Sequence, residues 1–94
     1  MNDFEPIHPG MILLNDWIKP FNFTISEFAL KIDTGRKNLS EIVNCKTGIS
    51  PEMALKLSKA LKTSPEFWLN LQQAYDLYHA RKKVNLDNVK VINF

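Results

Sequence analysis

Four helix-start signals punctuate this chain, and their spacing leaves room only for short helices. Pro9-Gly10, Thr24 with Glu27, Ser50-Pro51-Glu52 and Ser64-Pro65-Glu66 each supply what a first helical turn needs. That is either a side-chain oxygen for an unpaired N–H or a proline with no N–H to lose. Between the signals, apolar residues recur at steps of three and four, the spacing of one helix face. The first run holds Ile12, Leu13, Trp17 and Ile18 and stops at Pro20; the second holds Phe28, Ala29 and Ile32 and breaks at Asp33-Thr34-Gly35. Arg36 to Val43 forms a third, burying Leu39 and Ile42, and ends at Asn44-Cys45. Met53, Ala54, Leu57 and Leu61 mark the fourth, and Phe67, Trp68, Leu71, Ala74, Tyr75 and Tyr78 the fifth. The pattern predicts an all-α bundle of five helices over residues 1–83. Beyond Lys83 the alternation of Val89-Lys90-Val91 predicts a short extended tail, residues 84–94.

Ninety-four residues make one domain with a modest core, so a second copy would add useful stability. Apolar residues at 45% and charged residues at 23% exclude a disordered chain. No apolar run approaches a membrane span, and Met1 to Glu5 is acidic where a secretion signal is basic, so a cytoplasmic location is expected. A single cysteine, Cys45, excludes an internal disulfide and a cysteine metal cage. His8 and His79 lack partners at ligand spacing, so neither is expected to bind metal; they read as a turn residue and a helix-surface residue. No phosphate-binding glycine loop or Ser/His/Asp pattern occurs, so neither a cofactor nor catalysis is expected. The net charge is +2, with an acidic front (Asp3, Glu5, Asp16) and a basic middle.

The second and third helices are short and separated by three residues, the geometry of a helix-turn-helix from about Thr24 to Val43. Ala29 supplies the small side chain that lets the two helices approach. Asp33 stands where glycine usually makes the turn, and Thr34 where an apolar residue is usual; two ordinary packed helices account for the same spacing. The outer face of the third helix presents Arg36, Lys37, Asn38 and Ser40, with Glu41 one turn on. Arg and Lys match guanine acceptors in a major groove, Asn matches adenine, and Glu accepts from cytosine. A merely solvated face would carry the same residue types. Asn44 and Lys46 follow the helix, where contact with backbone phosphate is expected.

Four stretches carry a family resemblance: Ile7-His8-Pro9-Gly10-Met11-Ile12-Leu13, Glu41-Ile42-Val43-Asn44, Gly48-Ile49-Ser50-Pro51 and, most specific, Ser64-Pro65-Glu66-Phe67-Trp68-Leu69-Asn70-Leu71-Gln72. Over residues 6–80 the chain resembles the HigA antitoxins, within the lambda-repressor-like helix-turn-helix group. The resemblance implies a dimeric DNA-binding antitoxin that neutralises a HigB toxin, a messenger-RNA-cleaving ribonuclease of the RelE type, and represses its own operon. By position it implies that Arg36, Lys37 and Ser40 face bases with Glu41 nearby, while Thr24, Asn44 and Lys46 face phosphates. Members of that group often carry Glu at Met11 and Gly at Cys45, so a strained turn is expected at Cys45.

The fifth helix carries more apolar surface than a domain of this size easily covers, which makes Trp68, Leu71, Tyr75 and Tyr78 candidates for a two-fold dimer interface. Such a dimer would bind a palindromic operator with half-sites about 34 Å apart. Two devices for holding a toxin are open. The acidic front pairs with a basic ribonuclease surface, or the Val89–Phe94 tail adds a strand to a sheet edge of the toxin or of the second copy. Two other roles remain open as well: a stand-alone phage- or plasmid-type regulator, and a protein-interaction bundle without DNA binding.

Overall fold

The computed structural model describes residues 4–94; Asp3 of the acidic front lies outside them. Five α-helices follow one another: α1 (Pro9–Leu13), α2 (Ile25–Lys31), α3 (Arg36–Val43), α4 (Pro51–Leu61) and α5 (Pro65–Lys83). No strand forms among the described residues.

The start signals act as their chemistry dictates. The Thr24 hydroxyl accepts from the Glu27 N–H at 3.0 Å, and the Glu27 carboxylate accepts from the Thr24 N–H at 2.9 Å, a complete capping box. Ser50 and Ser64 accept from the N–H groups of Met53 and Phe67 at 3.1 and 3.0 Å, each followed by proline at the first helical position. At α1 the cap is His8, whose Nδ1 accepts from the Gly10 N–H at 2.9 Å. His8 is therefore a buried helix cap rather than a plain turn residue. His79 is likewise not simply on the surface: it is half-buried, with Nε2 3.3 Å from a Glu5 carboxylate oxygen.

The first run departs from a regular α-helix. After Leu13 the chain widens into a π-helical turn, Leu14–Ile18, in which the Lys19 N–H donates to the Leu14 carbonyl five residues back. Pro20 explains it. A proline ring crowds the carbonyl four residues before it, and widening the turn relieves the clash.

The core draws on every helix: Leu13 and Ile18, Phe28 and Ala29, Leu39, Ile42 and Val43, Met53, Ala54 and Leu57, and Trp68. Trp68 is 0% exposed and its indole N–H donates to the Thr63 hydroxyl at 2.8 Å, so both its ring and its polar handle are satisfied inside one chain. That removes it as a dimer-interface candidate, because it has no surface to offer a second copy. Leu71, Tyr75 and Tyr78 remain half-buried.

α1 and α3 approach backbone to backbone at Gly10. A Cβ added to Gly10 would sit 2.7 Å from the carbonyl carbon of Ile42 and nearer still to its oxygen. Residues 84–94 leave the bundle with a single turn at Leu86–Val89 and no regular structure otherwise, and every one of them is exposed.

Candidate nucleic-acid interface

α2 and α3 are joined by a tight turn whose left-handed position is not a glycine. Asp33 takes a left-handed conformation, φ 53°, and the Thr34 N–H donates back to the Ala29 carbonyl at 3.0 Å. The turn is held from outside as well: Lys56 on α4 donates to the Asp33 carbonyl at 2.6 Å. Ala29 is buried at the crossing with α3, next to the buried Leu39, Ile42 and Val43.

With those three residues turned inward, helical geometry puts Lys37, Ser40, Glu41 and Asn44 on the opposite face, while Arg36, three residues before Leu39 and seven before Val43, stands at the edge of the buried face in the first turn. Arg36 and Lys37 are exposed, while Ser40 and Glu41 are half-buried. Asn38 is exposed on the flank, and its side-chain amide donates to the Thr34 hydroxyl at 2.9 Å. Asn44 donates to the Ser40 hydroxyl at 3.3 Å, which ties the end of the helix to its middle. Thr24 is exposed at the start of α2, its hydroxyl oxygen taken by the Glu27 N–H but its proton free to donate. The first turn of α3 carries no acidic residue. Basic side chains there meet the positive end of the helix dipole, which favours an anionic partner over an internal ion pair.

The loop after α3 is the second part of the surface. Asn44, Cys45, Lys46, Thr47 and Gly48 are all exposed. Cys45 has φ 63°, the left-handed backbone expected from its place in the sequence, and the Lys46 N–H donates to the Glu41 carbonyl at 2.9 Å. Three residues that hold this surface are not evident from the sequence: Gly10, Lys56 and Gln72. Only Gly10 leaves a signal there, since a glycine inside a helix costs about 1 kcal/mol and implies a packing reason.

A family model described as helix-turn-helix matches residues 14–68, which include α2, its turn and α3. Virulence-associated protein A of Dichelobacter nodosus is 49% identical over 74 residues, covering 78% of this chain and 72% of the relative. The solved structure of antitoxin GraA in complex with its operator superposes with a TM-score of 0.88 at 35% identity, over 100% of this chain and 98% of that one. Pseudomonas aeruginosa antitoxin HigA with the higBA promoter superposes with a TM-score of 0.79 at 30% identity, over 92% of this chain and 99% of that one.

Proposed function

Because this chain belongs to the helix-turn-helix family, on its HigA-type antitoxin branch, we propose that it is a dimeric repressor-antitoxin. It binds a palindromic operator near its own gene and neutralises a HigB-type toxin. The observation that carries the reading is the outward face of α3, Lys37, Ser40 and Glu41, with Arg36 exposed at its first turn, set on a turn that holds α3 across α2. α3 enters the major groove, Arg36 and Lys37 meet guanine edges, and Asn38 meets adenine once its bond to Thr34 is exchanged. Thr24, Asn44 and Lys46 meet the flanking phosphates.

Leu71, Tyr75 and Tyr78 on α5 form the two-fold contact in this reading, with the exposed Leu77 beside them. The chain acts by occupying DNA and a toxin, and the reading needs no catalytic group. Among the described residues no helix is long and apolar enough to cross a membrane.

The test is a gel-shift titration with the DNA upstream of its own reading frame. Arg36→Ala with Lys37→Ala abolishes preference for that fragment over random duplex; retained preference would show that α3 is not the reader. Co-purification of a toxin encoded beside the gene tests the antitoxin half.

A further inference from the structure

We propose that His8 and Gln72 are positioning residues for DNA binding, a two-point clamp that fixes the loop from Asn44 to Gly48. The proposal rests on the assignment of Asn44 and Lys46, both on that loop, to phosphate contacts. The two clamping side chains come from different elements, His8 from the start of α1 and Gln72 from α5.

His8 stands at the start of α1. Its Nδ1 accepts from the Gly10 N–H, so the ring proton sits on Nε2, and the backbone of Thr47 lies within hydrogen-bonding reach of the ring. The only group a backbone offers to an N–H is its carbonyl, so the Thr47 carbonyl is the acceptor within reach of the Nε2 proton. One small ring thereby joins the first helix to the loop after α3. Tyr75 fixes the ring orientation by an edge contact at 4.8 Å.

Gln72 reaches from α5. Its Oε1 accepts from the Ile49 N–H at 2.7 Å, and its Nε2 donates to Asp76 at 2.9 Å, which sets which end of the amide faces the loop. Gly48 makes the seat: a Cβ there would lie 2.7–2.8 Å from three atoms of the Gln72 carboxamide. The loop's own N–H groups, from Asn44 to Thr47, tie it back only to α3, through the Ser40, Glu41 and Ile42 carbonyls, while its residues 44–48 are exposed and its backbone turns through the left-handed Cys45. Short charge-to-phosphate bonds are distance-critical, so a loop that drifts loses them even when Lys46 is intact.

Three variants test the clamp. His8→Asn keeps an oxygen where Nδ1 accepts, so α1 stays capped, but loses the reach to Thr47. Gln72→Leu removes the acceptor for Ile49. Gly48→Ala pushes the flexible Gln72 amide off the loop without touching the core. Affinity is read by fluorescence anisotropy on the upstream fragment and on a random duplex of about 30 bp. Each variant melts cooperatively, loses about 3- to 10-fold in affinity for both duplexes, and has a shallower salt dependence. Loss of one phosphate contact per protomer lowers the slope of log K against log salt by about 2 in a dimer. Without DNA, amide exchange at residues 45–49 quickens in all three. Wild-type slope and wild-type loop exchange in all three cooperatively folded variants would overturn the clamp. A wild-type chain that binds neither duplex would overturn the DNA reading, and the clamp with it.

Discussion

Gly10 packs its bare Cα against the Ile42 carbonyl, so α1 crosses α3 at a separation that leaves no room for a methyl group. Gly10→Ala pits two effects against each other. Alanine is favoured over glycine in a helix by about 1 kcal/mol. Overlap with rigid backbone costs about 1–3 kcal/mol or more, and here the obstacle is a main-chain carbonyl rather than a side chain that swings away. The clash wins, and thermal melting should show a drop of several degrees. An unchanged or higher Tm would mean that α1 slides without cost.

Trp68→Ala should cost about 3–5 kcal/mol, a large share of the stability of a domain this size, and should leave a chain that is partly unfolded at 37 °C. Trp68→Phe retains most of the buried ring but strands the Thr63 hydroxyl, so a smaller loss is expected. Denaturant titration gives both values. Sedimentation of Trp68→Phe should give the oligomeric state of the wild type, because Trp68 has no exposed surface; a changed state would contradict its burial.

Asp33 and Cys45 both sit in left-handed backbone, at φ 53° and 63°. A side chain in that region costs about 1 kcal/mol, less for Asp than for Cys. Cys45→Gly should therefore stabilise the protein by about 0.5–1 kcal/mol, and Asp33→Gly by less. Cys45→Val, with a β-branched side chain, should destabilise it. Denaturation midpoints rank the three variants, and a Cys45→Val protein as stable as the glycine variant would contradict the assigned backbone.

Burial pushes the His8 imidazole below its ordinary value, although the hydrogen bond to Thr47 and the charge of Asp76 oppose the shift. The ring is packed against Tyr75, which in turn contacts His79, and His79 lies beside Glu5. The unfolded chain takes up this proton near pH 6.5 and the folded chain only at lower pH. Between the two values the unfolded state holds the extra proton, so stability rises with pH. The contribution is complete above about pH 6.5 and is lost as pH falls through the folded-state value. Protonation also removes the acceptor for Gly10. Unfolding free energies measured from about pH 7.5 down to 5 should fall more steeply for wild type than for His8→Asn; equal slopes would mean that His8 is not the sensitive group.

The features legible in the sequence are those that depend on neighbours along the chain. Ser50, Ser64 and the Thr24–Glu27 pair cap their helices because the acceptor lies three residues from its donor, whatever the tertiary fold. The absence of glycine at Asp33 and Cys45 points to strained turns for the same reason. The hidden information is of a different kind. Lys56 and Gln72 each bond to backbone 23 positions away, and no periodicity records such a pairing. His8 reads as a turn residue until α5 and the Thr47 loop close over it. The aromatic stripe of α5 is visible, but a stripe does not say which of its members face the chain's own core. Trp68 faces inward because Thr63 and Trp17 wait there, the latter with its ring 5.3 Å away.

The widened turn at Leu14–Ile18 makes the chain unusually sensitive to its residue count. A π-turn holds one residue more than the α-turn it replaces. Deleting any one of its residues closes the segment toward ordinary helix and brings the Pro20 ring back against the carbonyl four residues before it. Each residue of helix also subtends about 100°, so the chain before the deletion turns by that angle relative to the chain after it. Gly10 then leaves the Ile42 carbonyl and His8 swings off the loop. A relative shorter by one residue here would need a different glycine and a different cap, which makes this position a phase marker for aligning the family.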